Sequence, residues 1–399
     1  MKNPTPIALV AIVLTAFNLR TMVTAISPLV PDIQQSLGVG SGLVGILGTI
    51  PTIMFALSAF SAPRLMRHLT VSQALAIAMA VTGLGQITRV LGPSVALLLT
   101  GTALALFAIG ITNAVLPLAV RAYFPTKVSA LTITYLCASQ VVQAVAPVVV
   151  AMKQAPDWQL SLGSWGLLGV VAALAWIPLL HQPKAAVTQR FAEGSQQEPG
   201  RQPRMKVWRT KVGVGIAVMF GTTSFTTYIL MAFIPQMYVE AGLSRQFAAS
   251  MLAVWSILGG VLNIVGPWIV SRFERPYPWL VIFGSMFIVS HLGLAFAPAA
   301  APWLWIILSG LGPITFPVGL TLVNIRARTM HGATALSSFG QGMGYSIAAC
   351  GPVAAGFIHE HTGSFHGVGV MMAIASVCAL VGGFFATRTV YVEDQLQRK

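Results

Sequence analysis

Charge is what this sequence has least of. Of its 399 residues only 8% are charged, where a soluble domain usually carries about 25%, so a water-exposed surface of ordinary extent cannot be built. Acidic residues are scarcer still, with nine Asp and Glu against 23 Lys and Arg. There are three cysteines, Cys137, Cys350 and Cys378, and no CxxC pair. That excludes a disulfide framework and a cysteine zinc site. All three fall inside apolar runs and are expected to be small packing residues. Nothing in the sequence asks for a cofactor.

What is present is apolar sequence in long blocks. Hydrophobic residues make up 56% of the chain, and runs of 20 or so recur, the length at which a helix crosses the hydrocarbon core. Lipid offers the backbone no hydrogen bonds, so each run must be helical. Strands of a barrel would instead alternate over about ten residues. The blocks read as residues 7–30, 41–62, 71–91, 94–120, 128–152 and 158–180, then 212–235, 247–270, 277–296, 301–325, 333–358 and 367–386. The first run follows Lys2 like a secretory signal. Asn18 and Arg20 interrupt it, and it is too long before any cleavage site, so it reads as a permanent helix.

The net charge of +14 invites a nucleic-acid reading, which its distribution refutes. With the N-terminus placed in the cytoplasm, 19 of the 23 Lys and Arg fall on that side. They are Lys2, Arg64, Arg67, Arg121, Lys127, Arg272, Arg275, Arg326, Arg328, those between 181 and 211, and those of the C-terminal tail. Arg89, Lys153 and Arg245 lie toward the other side, and Arg20 lies inside a span. This is the positive-inside bias. It predicts an integral protein of a bacterial plasma (inner) membrane with both termini cytoplasmic.

Residues 182–210 form the only long polar stretch and read as a cytoplasmic linker. Six spans precede it (residues 1–181) and six follow (residues 211–399). The halves align with each other. At an offset of 204 Pro31 matches Pro235, Gly38 matches Gly242 and Pro63 matches Pro267; at 205 Arg121 matches Arg326, Ala130–Leu131 match Ala335–Leu336, and Pro147 matches Pro352. Parallel repeats of six helices are one transporter plan, with the substrate held between halves near the midplane. The expected fold is therefore an all-α membrane protein, twelve transmembrane helices in two pseudo-symmetric six-helix bundles.

This organisation resembles the major facilitator superfamily. The strings FNLRTMVTAISPLVPDI (17–33), NAVLPLAVRAYFP (113–125), VGLTLVNIRAR (318–328) and ALSSFGQGMGYSIAACGPVAAGFIHEHTG (335–363) are similar to the cyanate permease and 2-nitroimidazole transporter family, over essentially the whole chain. The loop between the second and third spans, SAPRLMRHLT (61–70), keeps basic residues but lacks the acidic residue of the superfamily's usual Gly-x-x-x-Asp-Arg core. The resemblance implies a secondary transporter of a small solute and leaves the solute open.

Arg20 is the sharpest single residue. Thirteen rises of about 1.5 Å from Ile7 put it roughly 20 Å into the membrane, where a centred Arg costs about 2.5–3.5 kcal/mol. The nine acids (Asp32, Asp157, Glu193, Glu198, Glu240, Glu274, Glu360, Glu393 and Asp394) all fall in loops or at helix ends. A deep carboxylate partner is thus missing. Either the partner is a substrate's negative charge, or Arg20 snorkels and is satisfied by carbonyls and Asp32. The same census leaves proton coupling without a central carboxylate relay. His291, in a normally peripheral span, reads as structural.

Polar residues recur at helical spacing in the fifth and eleventh spans. Thr132 and Gln140 have repeat mates Ser337 and Tyr345, with Gln341 between. A cavity lining and interhelical hydrogen bonding both fit that pattern. Asn113, Thr223, Thr227 and Tyr228 are weaker candidates of the same kind. Gly340, Gly342 and Gly344 sit in a span and read as close helix packing. His359, Glu360, His361 and His366 read as a short solvated loop, since no second cluster completes a metal site.

No nucleophile–base or metal constellation lies within the spans, which argues against an enzyme. The expected partners are a small-molecule solute and the lipid bilayer, with no nucleic acid and the chain as a monomer. The expected substrate site is Arg20, Asn113, Thr132, Gln140, Tyr228, Ser337, Gln341 and Tyr345. An anionic or polar solute moved by alternating access is the leading reading. Export of a neutral nitro-aromatic or drug-like compound, with Arg20 hydrogen-bonding a nitro group, is the alternative.

Overall fold

A computed structural model describes residues 6–124, 126–151, 157–180 and 205–397, and every regular element among them is helical. In chain order the α-helices are α1 (Pro6–Thr24), α2 (Val30–Leu37), α3 (Ser41–His68), α4 (Val71–Thr88), α5 (Val95–Tyr123), α6 (Val128–Ala151) and α7 (Trp158–Trp176). After residues 181–204 come α8 (Lys211–Glu240), α9 (Arg245–Arg272), α10 (Tyr277–Phe296), α11 (Pro302–Leu311), α12 (Thr315–Ile325), α13 (Met330–Thr362), α14 (His366–Ala386) and α15 (Val392–Gln397). Among the described residues ten segments are long and apolar enough to cross a membrane. The other two spans are α3, whose apolar part is Gly42–Ser58, and the 33-residue α13, whose hydropathy is diluted by its polar stripe. Together they make up the expected twelve.

Two spans are broken where the sequence reading drew them whole. The first was expected to run over 7–30, but α1 stops at Thr24 because Pro28 has no N–H to continue the ladder. A short 3-10 turn (Ser27–Leu29) then leads into α2. The tenth breaks at Pro313 (φ −77°, ψ 34°) between α11 and α12. Elsewhere the helices start on side-chain caps. Thr70 and Gln73 form a capping box at α4, the Asp157 carboxylate accepts from Gln159 and Leu160 N–H at α7, and Thr210, Ser244 and Thr329 cap α8, α9 and α13. Repeat mates Gly38 and Gly242 are both left-handed, at φ +65° and +84°, a conformation that glycine adopts freely. Pro147 and Pro352 lie inside α6 and α13, the fifth and eleventh spans, as the repeat requires.

Two compact units divide the chain: Met1–Val39 with Ile53–Gln202, and Gly40–Thr52 with Pro203–Lys399. In the first, α4 packs on α5 and α7, and α1 packs on α5, α6 and α7. Small residues let these backbones meet. A Cβ on Gly101 would lie 2.6 Å from the Gly85 carbonyl, and one on Gly169 would lie 2.8 Å from Gly83 N. Arg89, at the end of α4, is fully buried. Its Nη2 donates to Gln86 Oε1 (3.4 Å) and the Leu162 carbonyl (3.3 Å).

In the second unit α8 packs against α13 and α14, with Gly215 and Gly382 in mutual contact; a Cβ on either would lie 2.8 Å from the other's carbonyl oxygen. The start of α3 belongs here as well. Gly42 N donates to Glu360 (3.0 Å), Thr49 Oγ1 donates to the Ala349 carbonyl (2.9 Å), and a Cβ on Gly45 would sit 2.5 Å from the Pro352 carbonyl. The C-terminal α15 is tied down by polar contacts. Val392 N donates to the Arg326 carbonyl (2.9 Å), Glu393 accepts from Arg328 N and from Thr329 N and Oγ1, and Asp394 pairs with Arg328 at 3.0 Å.

The three cysteines depart from expectation. They lie within α6, α13 and α14, but all three are exposed rather than packing residues. His359, Glu360 and His361 are no loop either. They form the last turn of α13, closed by Gly363 at φ +64°, and His366 begins α14.

Candidate functional site

In the first unit the candidate residues sit on three adjoining helices, Arg20 on α1, Asn113 on α5, and Thr132 and Gln140 on α6. Asn18 fixes the rotation of α1. Its amide donates to the Leu168 carbonyl of α7 (3.3 Å), and Trp176 Nε1 of α7 donates to Thr15 Oγ1 at 2.8 Å. Arg20 is two residues beyond Asn18, about 200° around the helix, and so lies on the face of α1 turned from α7. It is partly buried. Among the described residues its guanidinium has no hydrogen-bond or ion-pair partner; only its carbonyl is engaged, by Thr24 Oγ1. Asp32, the alternative partner considered from sequence, has an interaction of its own.

Asn113 is exposed and lies four residues before Pro117 inside α5. Proline cannot donate to the carbonyl four residues back, so Asn113 offers a free backbone acceptor beside its amide. Thr132 and Gln140 are partly buried, and Gln140 has a partner.

In the second unit Tyr228 lies on α8, and Ser337, Gln341 and Tyr345 lie at four-residue intervals on α13, hence on one face. All are partly buried. Gln341 Nε2 donates to Ser337 Oγ at 2.8 Å along the helix, which occupies part of both groups. Tyr228 and Tyr345 have partners as well. Thr223 is bound to Thr315 Oγ1 (2.6 Å), linking α8 to α12, whereas the buried Thr227 hydroxyl has no partner among the described residues.

Two features here escaped the sequence reading. The Tyr345 ring meets Phe220 edge-on, with centroids 5.3 Å apart, and Phe220 stacks on Phe316 at 4.8 Å, so α8, α12 and α13 share an aromatic cluster. Phe220, Thr223 and Thr227 fall at helical spacing, but nothing in the sequence joins that face to Phe316 or Tyr345. The glycine stripe divides. A Cβ on Gly344 would lie 2.4 Å from Phe220 and one on Gly340 3.0 Å from Ile216, but Gly342 has nothing within 4 Å. The second omission is the pairing of Glu240, at the end of α8, with His359. No local pattern joins residues 119 apart. No group of three or more metal-ligating side chains occurs among the described residues.

The sequence model of the Major Facilitator Superfamily matches residues 12–349. The chain belongs to the major facilitator superfamily. It is 28% identical to the 2-nitroimidazole transporter of Escherichia coli K12 over 94% of this chain and 95% of that protein. It is 25% identical to the cyanate transport protein CynX of the same organism, over 90% and 91%. A bacterial homologue of the human lysosomal transporter Spinster, solved inward-facing and unoccupied, superposes with a TM-score of 0.76 over 100% of this chain and 98% of that one, at 13% identity. This superfamily protein is therefore an integral membrane secondary transporter of a small-molecule solute, and not an enzyme.

Proposed function

We propose that this transporter moves a small anionic or polar solute, such as a cyanate-like anion or small organic acid, by alternating access, with Arg20 as its charge contact. The observation that carries this reading is the Arg20 guanidinium, inside a span and without a protein partner among the described residues. An unpaired intramembrane charge is costly and marks a substrate pathway by default. A guanidinium fork pairs two oxygens of an oxyanion or carboxylate at once. Asn113, Thr132 and Gln140 in one half and Tyr228, Ser337, Gln341 and Tyr345 in the other supply hydrogen bonds that orient the solute. Residues 1–181 and 211–399 are the two rocking halves, joined by 182–210, in a monomer whose termini are both cytoplasmic. The charge asymmetry read from sequence supports that orientation.

A second reading has its own support. The aromatic cluster of Phe220, Phe316 and Tyr345, together with 28% identity to a 2-nitroimidazole transporter, suits a flat neutral nitro-aromatic. Counterflow in proteoliposomes, with cyanate, small carboxylates and 2-nitroimidazole as competing solutes, separates the two. Competition by anions alone supports the first reading, and competition by the nitroimidazole alone replaces it with the second.

A further inference from the structure

A groove of about 420 Å³ opens on the second unit between the start of α8 and the end of α14. Its floor is the Gly215–Gly382 contact, where the helices approach too closely for a side chain. Its walls are apolar: Val214, Val218, Val381 and Phe385. Val214 and Val381 are 43% and 53% exposed, an exposed apolar surface of the kind that contacts lipid. Its rim is cationic, formed by Arg209 and Lys211. Arg388 adds a third charge, its guanidinium lying 5.4 Å from the ring of Phe385.

The cations of this rim have no carboxylate against them among the described residues. Arg209 lies over the Trp208 ring at 4.8 Å, and Arg388 over Phe384 at 4.7 Å. Aromatic faces position a guanidinium without neutralising it. The nearby acids of α15 are committed elsewhere, Glu393 to Arg328 and Thr329 and Asp394 to Arg328. Trp208 is 56% exposed, as tryptophans are at the headgroup level of a bilayer. Apolar walls below unpaired cations at the interface complement an anionic headgroup with an acyl chain. The chain's own segment 181–204 is a poor occupant, because Lys184, Arg190, Arg201 and Arg204 outnumber its Glu193 and Glu198.

We propose that this groove is a binding site for an anionic phospholipid, with the phosphate on Arg209, Lys211 and Arg388 and an acyl chain along Val214, Val218, Val381 and Phe385. Basic pockets between helices at the membrane surface hold such headgroups. The site is separate from the transport residues and does not depend on the solute.

Native mass spectrometry of the purified full-length protein tests it, with phosphatidylglycerol, phosphatidylethanolamine of the same acyl chains, and inorganic phosphate as probes. Phosphatidylglycerol is expected to be retained at least tenfold over phosphatidylethanolamine. Arg209→Gln with Lys211→Gln should bring the two lipids to parity. Val381→Trp, which fills the groove and leaves every cation in place, should cut retention as strongly. Arg272→Gln with Arg275→Gln, which removes two exposed cations outside the groove, should change nothing. Equal retention of both lipids by the unaltered protein would overturn the proposal, as would displacement of phosphatidylglycerol by millimolar phosphate or an equal loss in the Arg272/Arg275 variant. If the Arg209/Lys211 variant melts early, Val381→Trp decides, since undiminished retention there places the lipid elsewhere.

Discussion

His359 Nε2 lies 2.9 Å from Glu240 Oε2, joining the last turn of α13 to the end of α8. The other Glu240 oxygen accepts from Gln236 Nε2 at 2.7 Å, and the imidazole rests on the Phe365 ring, centroids 4.1 Å apart. His359 is buried, but the Glu240 side chain is 41% exposed, so water screens the pair and its coupling is expected to be modest, about 1 kcal/mol. A double-mutant cycle of Glu240→Gln and His359→Gln, read by thermal unfolding, should show non-additivity of that size. Additive losses would mean that the pair contributes nothing to holding the two helices.

His291 should be dispensable. It is fully buried in α10 beside Phe287, and neither ring nitrogen has a partner among the described residues. A buried unsatisfied polar group costs about 1–3 kcal/mol, and an apolar side chain of similar shape escapes that cost. His291→Leu is expected to hold or raise thermal stability and to leave transport intact. Loss of transport in a stable His291→Leu protein would instead assign the imidazole to ion coupling.

The glycines of α13 should behave unequally. A methyl on Gly344 meets the Phe220 ring at 2.4 Å, whereas one on Gly342 meets nothing. Gly344→Ala is predicted to cost about 1–3 kcal/mol through overpacking. Gly342→Ala should be neutral or stabilising by up to about 1 kcal/mol, from helix propensity alone. Equal effects on unfolding would contradict the packing of α13 on α8.

The attachment of α15 should depend on acid. Burial alone would push the Glu393 carboxyl up, but hydrogen bonds from Arg328 N and from Thr329 N and Oγ1 outweigh it and hold the carboxyl below its ordinary value. A lowered folded-state pKa stabilises above the unfolded value and is lost as pH falls through the folded one. Limited proteolysis after Arg388 should therefore accelerate in acid, below the usual carboxylate range, and Glu393→Gln should be cleaved faster at neutral pH. Unchanged cleavage of Glu393→Gln would show that the Val392 and Asp394 contacts suffice.

Much of the fold was legible because a bilayer leaves few options. Among the described residues length and apolarity alone delimit ten of the spans, and Pro147/Pro352 and Gly38/Gly242 carry the repeat into the geometry. The breaks at Pro28 and Pro313 were less legible, since α5, α6, α8, α9 and α13 each carry an interior proline without ending there. What a proline does depends on whether neighbours satisfy the freed carbonyl. The burial of Arg89 was not legible either, because adjacency to a loop says nothing of the carbonyl that Leu162 supplies 73 residues later. That Arg20 lacks a carboxylate partner among the described residues was legible, because scarce acids are a property of the whole sequence. The aromatic cluster and Glu240–His359 were not legible, since both arise only once helices are packed.

Binding to purified Arg20 variants tests the proposed transport site most directly. Affinity for the transported anion, found by the counterflow panel, should be measured by calorimetry for the unaltered protein, Arg20→Lys and Arg20→Gln, with thermal unfolding in parallel. Removing one charge-assisted hydrogen bond costs about 1.5–3 kcal/mol, roughly ten- to a hundredfold in affinity. Arg20→Gln is predicted to lose at least that much, and Arg20→Lys, a point charge in place of a fork, to be impaired as well while melting normally. A well-folded Arg20→Gln protein that binds the anion as the unaltered one does would contradict the assignment and make Arg20 a structural residue.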